Sequence, residues 1–409
     1  MAKLVANPYK PGAGHSPPHL AGRKKEAAEF RKFLAQETVS QNVVLTGLRG
    51  VGKTVLMDDV YKPLAIQEGW IWVGSDFSES AFVDEKALCH RLLTDLSLFT
   101  ATLSISRSER SMTLHRPRRD VVERLDYDYL VSFLERQPGL MVDKLKATLE
   151  FVWKAVPATG KRGIIFAYDE AQVVQDRRDK DQYPLALLLE AFQSLQRKGM
   201  RYMLLLAGLP TLFPKLVESR TYAERMFTVQ EIGRLDPAAA DEAITKPLEK
   251  NNWSFSAEAI RAIAESSGRY PYFIQFICRE SFDHFRLHFE EGRHGPPPSI
   301  PMATLILKLD ADFFAGRWGK ATDRQRELLY CVARLPHAAE EFTVSEIVAI
   351  SRKIGGLKPF KAADVSQILP KLIDAGLIYK NRYGKYSLAV PLFDGYITRQ
   401  FVAAKAAPH

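Results

Sequence analysis

The sequence predicts an α/β protein: a parallel-sheet core built around a phosphate loop, then a helical region, then a C-terminal module of three helices and a hairpin. Three observations carry this reading. Through residues 1–235, short and continuously apolar runs alternate with longer stretches of helical periodicity, the rhythm of βαβ units whose strands are buried on both faces. The first such run, Asn42–Thr46, leads directly into Gly47-Leu-Arg-Gly-Val-Gly-Lys53-Thr54, which satisfies G-x-x-x-x-G-K-[ST]. From Asp236 the strand-like runs stop, and short ones return only near the C-terminal end.

Taken in order, residues 1–20 are rich in Pro, Gly and His, and helical periodicity runs over Lys24–Ala35. The core strands are expected at Asn42–Thr46, Trp70–Val73, Ile164–Asp169, Tyr202–Ala207 and Phe227–Ile232. Residues 104–146 are charged and helix-prone and read as a helical insertion between core strands. Asp236 and Pro237 form a cap and first-turn pair opening a helix to Leu248, and Ser256 caps another that runs to Ser267. Gly268 ends that helix, Pro271 starts the next, and Gly292–Pro301, with its four prolines, reads as a loop. Helices are then expected over Thr322–Arg334, Thr343–Ser351 and Lys361–Ala375. Gly376 leads into strands Leu377–Lys380 and Tyr386–Val390 around the turn Asn381–Gly384, the layout of a winged helix. The expected domains are a nucleotide-binding core over 1–235, a helical region over 236–315 and a winged helix over 316–409.

Composition bounds the function classes. The 409 residues are 46% hydrophobic and 26% charged, ordinary for a globular chain of two or three domains. No apolar run approaches the roughly 18–20 residues that span a bilayer, and residues 1–20 lack the apolar core of a secretory signal, so the expected location is the cytoplasm with no membrane partner. Cys89, Cys278 and Cys331 lie far apart, which indicates neither a disulfide framework nor a zinc site. The formal charge of +9 favours anionic partners, and it is concentrated: residues 316–409 carry 15 Lys/Arg against 8 Asp/Glu.

The motifs carry the chemistry. In Gly47, Leu48, Arg49, Gly50, Val51, Gly52, Lys53 and Thr54 the glycines let successive backbone N–H groups curl around phosphates, and the following helix adds its positive end. Lys53 is expected to reach the β- and γ-phosphates of ATP, and the Thr54 hydroxyl to ligate Mg2+. The second constellation, Gly163-Ile-Ile-Phe-Ala-Tyr-Asp169-Glu170, is a buried strand ending in two acids. Ligands of open α/β sheets bind at the carboxyl ends of strands; there Asp169 suits the metal and its water shell, and Glu170 suits the attacking water.

These two motifs resemble those of the AAA+ ATPases, in the branch that holds origin-recognition initiators, archaeal-type ATPases and transposon-associated ATPases. Leu20-Ala-Gly22-Arg23-Lys-Lys-Glu26 looks like the element that lies against adenine in that family. Leu206-Ala-Gly-Leu-Pro-Thr-Leu-Phe213, followed by Glu224-Arg225-Met-Phe227, is similar to the segment after the fourth strand. Ser266-Ser-Gly-Arg269-Tyr-Pro271 resembles the lid motif. The resemblance, which covers nearly the whole chain, implies that Arg225 is an arginine finger acting on ATP in a neighbouring subunit of a homo-oligomer, with Arg220 as its competitor. It implies that Arg269 is the lid arginine of its own subunit. One position departs from the family: the end of the fourth strand reads Ala207-Gly208 where a polar residue often holds the attacking water. Thr211 is a distant substitute, and slow hydrolysis, with ATP as a switch more than a fuel, is the implied behaviour.

Two readings of the C-terminal module stand side by side. As a DNA-contacting winged helix it would use Lys358, Lys361 and Lys371 on and before the third helix and Arg382 and Lys385 in the wing, giving salt-dependent duplex binding. As a protein-interaction module it would make the chain a signalling switch acting on an effector protein. The basic excess favours duplex DNA. Phe393, Tyr396 and Phe401 in the tail have the spacing of core packing.

Overall fold

The computed structural model describes residues 6–12, 14–77, 84–108, 120–249, 254–290, 299–338, 340–382 and 384–406. The expected Gly292–Pro301 loop falls largely outside them. The chain forms two compact units, one made of Lys24–Thr46 and Leu56–Glu231, the other of Met1–Arg23, Gly47–Val55 and Ile232–His409.

The first unit is built on a five-stranded sheet. Its strands are β1 (Asn42–Thr46), β2 (Trp70–Val73), β5 (Gly163–Tyr168), β6 (Tyr202–Gly208) and β7 (Phe227–Glu231), in the order β2-β5-β6-β1-β7. All four pairings are parallel, with Val43 opposite Leu205, Asn42 opposite Phe227, Trp70 opposite Gly163 and Ile164 opposite Tyr202. Every residue of the three inner strands is buried, which is why they read as unbroken apolar runs, whereas the edge strand β7 leaves Val229 and Glu231 exposed. A polar clip fixes the centre of the sheet. Buried Asn42 accepts from the Leu204 N–H at 2.8 Å and from Gln196 Nε2 at 2.8 Å, and its Nδ2 donates to the Met226 carbonyl at 3.2 Å. The edge is held by the Tyr61 hydroxyl, which donates to Gln230 Oε1 at 2.6 Å while its ring stacks on Phe30.

Between β2 and β5 the expected helical insertion is only partly helical. Helices span Tyr127–Arg136 and Met141–Trp153, but residues ahead of them form an antiparallel ribbon of β3 (Ser104–Ser108) and β4 (Asp120–Arg124). The correction has a local cause: Ser-Ile-Ser-Arg-Ser alternates, and Asp-Val-Val-Glu-Arg is β-branched at its centre. The helix Glu85–Thr100 packs beside this region, capped by Asp84, which accepts from the Ala87 N–H at 2.7 Å.

The second unit is helical. Asp236 caps Pro237–Glu249 by accepting from the Ala239 N–H at 2.8 Å, and Ser256 caps Ala257–Ser266 through the Ala259 N–H at 3.1 Å. Gly268 and Arg269 then take left-handed φ of 56° and 61°, and Pro271 opens a long helix to Glu290. The leader is anchored to these helices: buried Tyr9 donates to the Ile244 carbonyl and Asn7 Nδ2 donates to the Arg279 carbonyl at 2.9 Å. Further on, Asp323–Ala333, Val344–Ser351 and Ala362–Asp374 precede the antiparallel pair β8 (Ile378–Arg382) and β9 (Lys385–Leu388). Phe342 and Tyr386 exchange backbone bonds at 2.8 and 2.9 Å and add a third, one-residue strand to that pair. A helix absent from the sequence expectation, Phe393–Ala406, packs back on Asp323–Ala333. Phe401 stacks on Tyr330 at 4.2 Å, Phe393 and Tyr396 are buried, and Arg399 forms a two-pronged ion pair with buried Asp310 at 2.8 and 2.6 Å. All three cysteines are buried, and burial pushes the Cys89 thiol up to about 12, the range of an inert structural thiol.

Candidate functional site: the phosphate loop and the strand-end acids

The phosphate loop leaves the carboxyl end of β1 and ends in the helical segment Lys53–Leu56. Gly50 and Gly52 take φ of 81° and 88°, values that favour glycine. A Cβ on Gly52 would meet no atom within 4 Å, so conformation, not crowding, demands glycine there. At Gly47 the reason is the opposite, because a Cβ would collide with the Ile232 carbonyl. Lys53 is 8% exposed, and its ammonium donates to the loop's own carbonyls, Gly47 O at 2.9 Å and Leu48 O at 3.1 Å. Leu48 and Thr54 are half-buried, Arg49 is exposed and Val51 is buried.

Two further groups hold the loop, and a third meets it only through like charge. Gly22 and Arg23 both take left-handed φ, and the Arg23 guanidinium donates to the Val51 carbonyl at 2.9 Å and the Gly233 carbonyl at 2.9 Å, strapping the loop to the chain that follows β7. The Tyr272 N–H, in the first turn after Pro271, donates to the Gly50 carbonyl at 3.2 Å. Arg317 lies over Phe313, and its guanidinium is held below its usual range by burial and then by the charge of Arg49. Neither Tyr272 nor Arg317 carries a motif, so neither was legible as a loop neighbour. The Arg269 guanidinium has no hydrogen-bond or ion-pair partner among the described residues. Its backbone carbonyl accepts from the Leu235 N–H at 2.9 Å.

The acids lie in the sheet unit, at the carboxyl end of β5, which is one strand removed from β1. Asp169 is 5% exposed, its carbonyl accepts from the Phe77 N–H at 3.0 Å and its Oδ1 accepts from the Glu170 N–H at 2.7 Å. Glu170 takes φ of 52°, an uncommon conformation for a side-chain-bearing residue and one that turns it out of the strand direction. Two acids that the sequence did not single out surround them. Partial burial raises the Asp58 carboxyl above its usual range, with Lys62 opposing and Asp59 and Asp169 adding to the shift. Partial burial, then the charges of Asp169, Asp58 and Glu170, raises the Asp76 carboxyl, with Arg91 opposing. Such a concentration of negative charge suits a divalent cation. Among the described residues no group of three or more His, Cys, Asp or Glu converges as a metal cage. Carboxylate oxygens are the donors that a hard divalent cation takes.

At the end of β6, beside Ala207 and Gly208, sits the amide of Gln172. Its Oε1 accepts from the Leu209 N–H at 3.0 Å, and its Nε2 donates to Glu170 Oε2. Sequence reasoning missed Gln172 because its partner at the strand end is 37 residues away.

Arg225 belongs to the short helix Ala223–Met226 at the amino end of β7. The five residues of that strand, at roughly 3.3 Å each, separate it from the carboxyl edge where Asp169 lies. Its guanidinium is exposed and has no partner among the described residues, and it borders a concavity of about 350 Å3 with Ser40, Gln196, Arg197 and Tyr222. Arg220, by contrast, pairs with Glu190 at 3.6 Å.

In the C-terminal module Lys358, Lys361 and Lys371 are exposed and Lys385 is half-exposed. The helix Ala362–Asp374 buries Val365, Leu369 and Leu372, which leaves Lys371 on its outer face, together with exposed Asp374. Arg382 ends β8, and its side chain lies outside the described residues.

Comparison with known proteins assigns the architecture. A family model described as a domain of unknown function, DUF8462, matches residues 311–397. No curated protein matches the chain. Among solved structures, the Walker-type ATPase of Pyrococcus abyssi is similar at TM-score 0.57 and 15% identity, over 93% of this chain and 96% of that one. The ORC2 protein of Aeropyrum pernix in its ADP form is similar at TM-score 0.54 and 13% identity, over 97% of this chain and 98% of that one. The same ORC2 protein in ADPNP-ADP complexes gives TM-score 0.52 and 14% identity with the same coverage. The chain shares its fold with these Walker-type ATPase and ORC2 structures. No helix among the described residues is long and apolar enough to cross a membrane.

Proposed function

We propose that this chain binds Mg·ATP and hydrolyses it slowly, as a nucleotide-controlled switch or assembly factor of the cytoplasm that works on duplex DNA. The observation that carries the reading is the phosphate loop: a strand-to-helix turn with left-handed Gly50 and Gly52, buried Lys53 and the Arg23 strap, in a fold shared with an ORC2 protein whose structure holds ADPNP and ADP. Lys53 and the loop amides take the phosphates, while Thr54 and Asp169 serve Mg2+ and its water shell. Glu170 polarises the attacking water, and Arg269 answers to the γ-phosphate within its own subunit. Bound Mg2+ would supply charge neutralisation between the phosphates. Gly22 and Arg23 lie against the base by analogy with the family's adenine element. Placement of Arg225 at the amino edge of the sheet supports a finger that acts in trans, in a homo-oligomer.

Exposed Lys358, Lys361 and Lys371, with Lys385 and Arg382 in the hairpin, support contact with DNA phosphates. A second reading keeps its place because Asp374 is exposed on the same helix as Lys371: the module then binds an effector protein. The site is tested by titrating ATP into wild type and Lys53→Ala. The variant is expected to lose binding by at least about 100-fold, on the order of 3 kcal/mol, with an unchanged circular dichroism spectrum. Equal affinities would remove the phosphate loop from the nucleotide site.

A further inference from the structure

A carboxylate that polarises water works only if one oxygen is aimed at that water, so something must hold the other. In this chain the end of the fourth strand of the sheet is Ala207-Gly208, which offers no side chain for the task. The structure fills the place from elsewhere. The Leu209 N–H can only donate, so the Gln172 oxygen must face it, and the Gln172 NH2 group must therefore face Glu170. The amide orientation is thus fixed by chemistry.

The surrounding residues are consistent with a built arrangement. A Cβ at position 208 would collide with Gln172 Oε1, so glycine is what lets the amide sit against β6. The Gln172 carbonyl accepts from Lys215 Nζ at 3.1 Å, which ties the segment to the helix Leu212–Ser219. Glu170 itself holds left-handed φ, so its side chain leaves the strand at an angle that brings Oε2 to the amide.

We propose that Gln172 is the positioning residue for Glu170: its NH2 group holds Oε2, leaves Oε1 for the attacking water, and links that carboxylate through Leu209 to the end of β6. The proposal rests on the ATPase reading above and deepens it. It makes Gly208 a requirement of the site, and it assigns to a side chain from after β5 the polar role that β6 lacks.

The test compares ATP turnover and ATP affinity in wild type, Gln172→Glu, Gln172→Ala, Gly208→Ala and Glu170→Gln, with thermal unfolding as a check on each fold. Gln172→Glu is the decisive variant. It keeps the acceptor for the Leu209 N–H but replaces the donor to Glu170 with a like charge, so a purely structural role predicts wild-type turnover. Positioning predicts that kcat falls about 10- to 100-fold in all three Gln172 and Gly208 variants, with KM and ATP affinity within about twofold of wild type. Wild-type kcat in Gln172→Glu, alongside a dead Glu170→Gln, would overturn the role of Gln172 and leave the ATPase reading intact. A wild type without turnover would overturn both. Should Gln172→Ala fail to fold, Gln172→Glu and Gly208→Ala still decide between positioning and a purely structural role.

Discussion

At the scale of single residues, two buried polar groups of the sheet unit carry most of the argument: Asp169 at the end of β5 and Asn42 in the clip. Asn42 satisfies three groups drawn from β6, the β7 approach and the Pro184–Arg197 helix. Removing it leaves buried donors without partners, and an unsatisfied buried group costs more than a made bond returns. Asn42→Ala is therefore expected to destabilise the protein by about 2 to 4 kcal/mol, read as a lower urea midpoint at unchanged slope. A loss under about 0.5 kcal/mol would mean that water or a rearranged Gln196 replaces the clip. Among residues of the site, Lys53, Thr54, Asp169 and Glu170 were legible because local spacing announces them. Gln172, Asp58 and Asp76 were not, because their significance comes from neighbours distant in sequence: the Leu209 N–H for the first, the Asp169 charge for the other two.

At the scale of elements, the sheet was readable because strands buried on both faces carry near-continuous apolar runs, as Val43–Leu45 in β1 and Ile164–Tyr168 in β5 do. The capped helices were readable for a different reason, since Asp236 and Ser256 bond the groups that their positions imply. The ribbon β3–β4 escaped notice because its two five-residue runs lie within a charged, helix-prone stretch. The helix Phe393–Ala406 was read only as packing. Its aromatic spacing matched a buried face, but Leu392 stands before it where Asp236 and Ser256 stand before the others. The third helix of the C-terminal module carries the DNA prediction. If its outer face meets phosphates, the triple variant Lys361→Ala, Lys371→Ala, Lys385→Ala weakens duplex binding and flattens the dependence of log K on log salt by about 2 to 3 units, near 0.9 per lost contact. Fluorescence anisotropy on a salt series measures this. An unchanged slope would move the module's partner from DNA to protein.

At the scale of the whole molecule, Arg225 and Asp169 occupy opposite edges of one sheet, so if Arg225 is the proposed finger it serves a different nucleotide from the acids of its own chain. Subunits are therefore expected to complement one another. Lys53→Ala retains Arg225 but has no working phosphate loop, and Arg225→Ala has the loop but no finger. Each alone is expected to be inactive, and an equimolar mixture is expected to regain part of the wild-type turnover. A mixture as inactive as its components would contradict action of Arg225 in trans, and wild-type turnover in Arg225→Ala alone would place Arg225 outside the reaction. The central claim, that this fold hydrolyses ATP with a carboxylate held at the end of β5, is tested most directly by steady-state phosphate release at saturating Mg·ATP in wild type and Glu170→Gln, with nucleotide binding measured on the same samples. The expected result is measurable turnover in wild type, a loss of at least about 100-fold in the variant and equal ATP affinity in both. Equal turnover in the two proteins would contradict the claim.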